Sequence, residues 1–403
     1  MHVLIIHQAF AALDEPGGTR HYEFARLLAG SGHRVTVIAS PVNYITGGIS
    51  RRGSVPLSVP DPSGGAPRPN LTILRARVYA AHHKSFIHRV IAFVSFMASS
   101  FQLGMLVKDV DLVWGTSPPL FQGVTAWSLA RLKGAAFLFE VRDLWPLFAV
   151  AAGVLRNPVL VWLSEGLERF LYRHADRVIV NSPGFHAHVA SRGARRVDIV
   201  PNGADPQMFD PQAEGQSLRR SLGIGNQFLA MYAGAHGLSN DLRVVLDAAS
   251  LLAGLDIHIV MVGDGKEKPS LERYAAQLDL KNLTFRPSVP KKQIPETLAA
   301  ADACIATLKP LEEYKTTYPN KVFDYMAAGR PVALAIDGVI REVVEAAGCG
   351  LFAEPGNPQA LAEVLRALSA DRQRSREMGL AGRKYLESNF SRAAIGEKLV
   401  RFT

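Results

Sequence analysis

The feature that most narrows what this chain can fold into is an alternation. Short runs of β-branched and aliphatic residues recur along it, separated by longer segments with helical spacing. Residues 1–7 (MHVLIIH) form an apolar run that stops after a few residues, too short for a helix, so they read as a strand buried on both faces. Residues 19–29 then set Tyr22, Phe24, Ala25, Leu27 and Leu28 at helical intervals. Residues 31–34 (SGHR) break that helix, and 35–39 (VTVIA) read as the second strand. Further strands are expected at 71–76, 112–115, 136–141, 177–180 and 197–200. A second series follows at 228–233, 257–262, 283–285, 303–306, 332–335 and 350–352. Strands alternating with helices make parallel sheets covered on both faces. Two such series, joined near 201–211, predict an α/β chain of two doubly wound, Rossmann-like domains. At roughly 100–200 residues per domain, 403 residues suit that count. The expected domains are 1–201, joined by a C-terminal helix over about 382–403, and 202–381.

Composition removes other classes. With 48% hydrophobic residues the chain is not disordered, and two cysteines, Cys304 and Cys349, make no disulfide scaffold. They are expected to be reduced and half-buried, as suits a cytoplasmic protein. No basic leader precedes the first apolar run, so a signal peptide is not expected. Residues 90–107 carry no charge, but three serines, Gln102 and Gly104 favour a core helix over a spanning one. Residues 41–70 hold five prolines and five glycines after Asn43 and read as a long surface loop.

Charge is unevenly divided. Residues 1–201 carry 21 Lys and Arg against 12 Asp and Glu, and residues 202–403 carry 24 of each. The whole formal charge of +9 therefore sits in the first half. Such a field attracts an anionic partner, whether nucleic acid, lipid surface or phosphorylated substrate; scattered solvated arginines are the plain alternative.

Ligands of open parallel sheets bind beyond the carboxyl ends of the strands. Five places there carry suitable chemistry. Gly17 and Gly18 precede a helix start, where backbone N–H groups can take phosphate, or where the chain simply turns. Arg142 and Asp143 end the strand at 136–141, either as a pocket for phosphate or sugar hydroxyls or as an ion pair. Gly234, His236 and Gly237 follow the first strand of the second series, and the run 262–268 (VGDGKEK) with Lys268 follows the next. In 318–332 (YPNKVFDYMAAGRPV), Lys321 and Asp324 lie three apart on one helix face, with Asn320 beside them. A lysine for phosphate and a carboxylate for ribose hydroxyls make a nucleotide site; a surface salt bridge is the alternative. The glycines of 29–33 (AGSGH) follow the first helix rather than the first strand, so they are no dinucleotide fingerprint. The sequence holds no H-E-x-x-H, C-x-x-C, Walker or G-x-S-x-G motif, and its basic residues lack a nucleic-acid-binding setting.

Taken in order, Gly17-Gly18, LLAGSGHRVTVIAS, VPNGADPQMFDP, VGDG and FDYMAAGRPV resemble glycosyltransferase family 4, the retaining nucleotide-sugar-dependent enzymes of GT-B fold. The resemblance spans essentially the whole chain. It implies two Rossmann-like domains facing across a cleft, the first for the acceptor and the second for the donor. The combination of GGTR, VRDLWP, GAHG and PNKVFDYMAAG is similar to bacterial surface-polysaccharide transferases, including those that move N-acetyl-L-fucosamine. Departures are visible too. The family's E-x7-E pair falls on Thr316 and Asp324, the usual diphosphate-binding Arg and Lys are replaced by 234–239 (GAHGLS), and the usual His before Asp143 is Arg142.

The resemblance implies a UDP-sugar as co-substrate, no metal or other cofactor, and a polyprenyl-diphosphate-linked saccharide as acceptor. Gly17, Gly18, Gly234, His236, Gly237, Lys268, Asn320, Lys321 and Asp324 are then donor-binding, and Asp143 and Arg142 catalytic. Arg20, Arg51, Arg52, Lys84 and Arg89, with the arginines of 192–196, become acceptor or membrane contacts at the inner face of the cytoplasmic membrane. Nucleic acid is not expected as a partner. Two alternatives use the same residues: a UDP-sugar 2-epimerase on the same fold, and a non-catalytic basic protein that binds membrane or nucleic acid.

Overall fold

The computed structural model of the chain describes residues 1–43, 47–48, 57–58, 70–79 and 86–401. Most of the 41–70 loop, and Arg51, Arg52 and Lys84 with it, lie outside the described residues. The chain divides into two units: residues 1–201 together with the chain from Ile395 onward, and Asn202–Ala394.

The first unit alternates as the apolar runs require. In chain order it holds β1 (His2–Ile6), α1 (Arg20–Gly30), β2 (Arg34–Ala39), β3 (Leu57–Ser58), β4 (Leu71–Arg75), α2 (Phe86–Leu106) and β5 (Leu112–Ser117). There follow α3 (Leu120–Lys133), β6 (Ala136–Val141), α4 (Leu147–Ala151), α5 (Pro158–His174), β7 (Arg177–Val180), α6 (His186–Ser191) and β8 (Val197–Ile199). The sheet runs β3-β4-β2-β1-β5-β6-β7-β8, parallel except for the two-residue β3, which was not anticipated. All five residues of β1 and all six of β5 are buried, which is why those strands read as unbroken apolar runs.

The second unit begins with α7 (Gln216–Leu222), β9 (Phe228–Ala233), α8 (Leu242–Leu251), β10 (Ile257–Val262), α9 (Lys268–Gln277), β11 (Leu283–Arg286), α10 (Ile294–Ala299) and β12 (Ala303–Thr307). It continues with α11 (Asn320–Ala327), β13 (Val332–Ala335), α12 (Val339–Ala346), β14 (Gly350–Phe352), α13 (Pro358–Ala370), α14 (Arg372–Asn389) and the start of α15 (Arg392–Val400). Its sheet is wholly parallel, in the order β11-β10-β9-β12-β13-β14. Separate apolar clusters pack each face of that sheet: Leu229, Met231 and Val260 point to one, Phe228, Ala230 and Ile259 to the other. In both sheets the strand order reverses beside the first strand of the unit, between β1 and β5 and between β9 and β12. Those switch points open a crevice at the carboxyl edge.

Two expectations change and one is met. The cysteines are not half-buried but fully buried, each at 0% exposure, because Cys304 lies within β12 and Cys349 beneath α14. Residues 90–106 lie in helix α2, which turns Phe96 and Ser100 into the core, and among the described residues no helix is long and apolar enough to cross a membrane. The chain joins the first unit at Ile395, not near 382, because α14 is packed into the second unit by two close approaches. A Cβ at Gly379 would lie 2.1 Å from the Gly329 carbonyl oxygen, and one at Gly382 would lie 2.7 Å from Cys349 Cβ. Only glycine lets the helix backbone sit this low. Gly379→Val should therefore lift α14 and lower stability by about 3 kcal/mol, read by urea unfolding.

Candidate active site

At the first unit's switch point the residues leaving β1 and β5 meet. His7 Nδ1 lies 2.8 Å from Thr116 Oγ1. Gln122 of α3 donates to the same hydroxyl at 2.8 Å, while its Oε1 accepts the Gln8 amide at 2.8 Å. The His7 ring stacks on that of His21 in α1, with centroids 3.9 Å apart. His21 Nε2 bonds Glu140 Oε2 at 2.5 Å, and Arg20 Nε donates to Glu140 Oε1 at 2.8 Å. Glu140, in β6, is wholly buried. Burial opposes its ionisation, but His21 and Arg20 prevail and hold its carboxyl well below the usual range.

Arg142 and Asp143 follow where β6 leaves the sheet. The Arg142 Nε is buried with no hydrogen-bond partner among the described residues. Burial raises the Asp143 carboxyl to about 6, against the pull of Arg142. A carboxylate in that range accepts protons near neutral pH. Gly17, in the loop after β1, holds φ at 139°, and Gly18 leads into the Thr19 cap of α1. Arg20 is a correction: it is 4% exposed and donates to the carbonyls of Pro201 at 2.7 Å and Val200 at 2.6 Å. These bonds and Glu140 make it an internal clamp, not an acceptor or membrane contact. Arg192 likewise donates to the buried Glu168 at 2.8 Å, and Arg196 lies 3.7 Å from Asp198. Arg89 lies in α2, and its side chain is outside the described residues.

At the second unit's switch point, the loop after β9 and the loop after β10 press together. A Cβ at Gly263 would lie 1.9 Å from the Gly234 oxygen, and one at Gly265 would lie 2.4 Å from the His236 oxygen. The VGDG run is thus a packing requirement. Asp264 accepts from the Ser288 amide at 2.8 Å and its hydroxyl at 2.6 Å, tying in the loop after β11. Lys268 is a second correction. Its Nζ donates to the Gly263 oxygen (2.9 Å), Asp264 Oδ1 (2.9 Å) and the Arg286 oxygen (3.0 Å), using all three hydrogens on the loop and the end of β11. It fastens the cradle and has no donor left for a diphosphate.

Lys321 takes the opposite arrangement. From the first turn of α11 its Nζ reaches Tyr232 Oη and Asn240 Oδ1, each at 2.8 Å. It also lies over the Tyr232 ring at 4.3 Å. A Cβ at Gly234 would come within 3.4 Å of the same Nζ, so the ammonium rests against the bare backbone of that loop. Both partners are neutral oxygens, and burial lowers the lysine to about 7. Asp324, one turn on, pairs with Lys291 Nζ at 2.6 Å and stands 3.5 Å from Asn320 Nδ2. Asn320 Oδ1 in turn faces Arg392 Nη2 at 3.4 Å. His236 is fully buried, with neither ring nitrogen hydrogen-bonded among the described residues; burial, then Lys268, lowers it to about 4, so it is neutral at physiological pH. It lines the cradle without adding charge. Gly237, with φ at −112°, needs no left-handed backbone. Thr316 Oγ1 donates to the Glu313 oxygen at 2.6 Å within its own turn.

Sequence reasoning missed Tyr232, Asn240, Lys291 and Glu140. None carried a spacing signal, because each partner lies on a different strand or loop. The glutamate inside the apolar run of β6 was the one visible hint, since an unpaired charge is not kept in a doubly covered strand.

Two family models cover most of the chain. Residues 17–203 match the Glycosyl transferase 4-like domain, and residues 227–371 match Glycosyl transferases group 1. The chain belongs to the group 1, 4-like glycosyltransferases. This glycosyltransferase is 25% identical over 358 residues to WcaI, the Escherichia coli protein assigned to colanic acid biosynthesis as a glycosyl transferase, with 85% of this chain and 86% of that protein covered. It is 28% identical over 293 residues to the D-inositol 3-phosphate glycosyltransferase of Nocardia farcinica, covering 69% and 58%. Among solved structures, sucrose-phosphate synthase from Thermosynechococcus elongatus superposes with a TM-score of 0.80 at 18% identity, covering 100% of this chain and 98% of that one. Anabaena HepE, solved in complex with UDP-glucose, superposes with 0.72 at 16%, covering 100% and 99%. These likenesses give the transferase its fold, GT-B.

The desolvated ammonium has a thermodynamic signature. Lys321 titrates near 7 in the folded chain and at about 10.4 when unfolded, so the unfolded chain binds more protons across that window. Stability therefore rises with pH from about 7 to 10, and Lys321→Met should remove that slope while matching or exceeding wild-type stability at pH 7, read by urea unfolding at several pH values.

Proposed function

We propose that this chain is a retaining, metal-independent glycosyltransferase whose donor is a UDP-sugar. It moves an N-acetylated amino sugar, such as N-acetyl-L-fucosamine, to a polyprenyl-diphosphate-linked saccharide during assembly of a bacterial surface polysaccharide. The observation that carries this reading is Lys321, a half-buried, desolvated cation held by neutral oxygens against a glycine backbone at the switch point. An ammonium so placed is unfavourable until an anion arrives. The name of WcaI supports the polysaccharide setting, and the HepE complex supports a UDP-sugar donor.

The chemistry follows from charge development. The acceptor hydroxyl attacks the anomeric carbon from the face the diphosphate leaves, and its proton passes to a leaving phosphate oxygen. As the glycosidic bond breaks, negative charge collects on the diphosphate. Lys321 and the backbone N–H groups of 234–237 stabilise it most at that moment. Asp324, oriented by Lys291, takes the ribose hydroxyls. Asp143 accepts a hydrogen bond from the sugar or acceptor hydroxyl, and Arg142 turns its unused Nε–H toward phosphate or a sugar substituent.

A thermal-shift panel of nucleotides and nucleotide sugars tests donor class, with UDP-sugars expected to stabilise most. Lys321→Met should lower kcat by about 100-fold or more, as loss of one such donor does elsewhere. Normal turnover of that variant at limiting donor would sink the diphosphate role. Release of UDP without any acceptor would instead point to an epimerase.

The pH profile is a separate test. Asp143 must be ionised and Lys321 protonated, so kcat/KM should rise through about pH 6 and fall above about 7. In Lys321→Arg the alkaline limb should move up by more than one unit.

A further inference from the structure

The first unit carries an apolar surface that its own fold does not explain. Helix α4 buries no residue, and in α5 only Glu168, Leu171 and Tyr172, all in the second half, are buried. That second half is firmly held. Glu168 accepts from His188 and Arg192, each at 2.8 Å, and Phe170 packs on Trp127 of α3 with ring centroids 4.8 Å apart. The first half stands out from this anchor. Asn157 caps it through the amides of Val159 and Leu160, so it is an ordered helix end. Yet Trp162 is 69% exposed, Val159 61%, Val154 54% and Leu163 52%. Exposed Ile91 and Val94 stand on the first half of α2, whose Phe93 packs on Phe121 of α3 at 6.1 Å. Each of these helices begins at the carboxyl edge of the parallel sheet, the edge that bears Arg142 and Asp143.

Electrostatics decides what covers such a surface. Neither 76–107 nor 144–164 contains an Asp or Glu, whereas both contain arginines, and the half of the chain that holds them carries the entire net charge of +9. A second copy would bring the same positive field against itself. An anionic bilayer presents the complementary charge, together with an apolar interior that takes aliphatic side chains and an interface that favours tryptophan.

We infer that the protruding first half of α5, with Val154 and the exposed residues of α2, seats the first unit in the interface of an anionic lipid bilayer. This rests on the reading of the acceptor as lipid-linked and deepens it. The ridge lies at the carboxyl edge, so a polyprenyl-diphosphate acceptor reaches Arg142 and Asp143 with its tail still in the membrane. The arginines of 192–196 precede β8 and lie at the opposite, amino edge, so they are not part of this seat.

The test uses the full-length protein and vesicles of phosphatidylglycerol and phosphatidylethanolamine, with phosphatidylcholine vesicles as the neutral control. Sedimentation should show binding to the anionic vesicles, and Trp162→Glu combined with Leu163→Glu should weaken it by about tenfold or more. The variant should keep wild-type circular dichroism and wild-type transfer to a short-chain, water-soluble acceptor, while losing transfer to the long-chain acceptor embedded in vesicles. Unchanged vesicle binding by the variant overturns the inference. So does equal binding to phosphatidylcholine, or a wild-type dimer in solution that the variant dissolves. Failure of the soluble-acceptor assay in wild type strikes at the proposed reaction, whereas the sedimentation arms read the membrane seat on their own.

Discussion

A half-buried, desolvated ammonium held by neutral oxygens is the constraint on which the second unit turns. Lys321 reaches β9 and the loop after it from a helix nearly ninety positions further along the chain, and among the described residues its hydrogen-bond partners are a phenol and an amide oxygen. Buried charges that serve the fold alone are normally neutralised, because an uncompensated one costs several kcal/mol. Everything nearby accommodates the exception. Gly234 leaves room for the ammonium, Gly263 and Gly265 let the next loop close beneath, and Lys268 spends its hydrogens holding that loop in place. The result is a preformed positive site aimed at the crevice.

The same measure separates scaffold from chemistry in the first unit. Arg20 and Glu140 are buried deeply, but each is saturated: the carboxylate by two donors, the guanidinium by that carboxylate and two carbonyls. They fix the carboxyl edge of the sheet. Arg142 and Asp143, the next residues out, are not saturated among the described residues, and a polar atom of Arg142 is buried there without a partner. Compensation is complete where the chain needs rigidity and incomplete where it faces the crevice.

Much of this was legible in the chain. Thirteen expected strands are present, several to the residue, because doubly covered parallel strands must be continuous apolar runs and so announce themselves. Residues at strand ends, such as Arg142, Asp143 and Gly234, were legible as candidates for the related reason that ligands gather there. Arg20 and Lys268 were misread because a basic residue next to a glycine-rich turn looks the same whether it faces a ligand or its own backbone. Lys291 was passed over because its partner, Asp324, is far along the chain and nothing in spacing links them.

By itself, then, the sequence determined the two parallel sheets, their switch points and the short segments that line them, since each of these follows from local periodicity and from where apolar runs stop. Only the tertiary structure decided which charges are spent internally and which are left for a ligand. It also decided that the apolar first half of α5 lies outside the core. Both depend on which distant residues meet, and pairing across tens or hundreds of positions leaves no trace in local pattern.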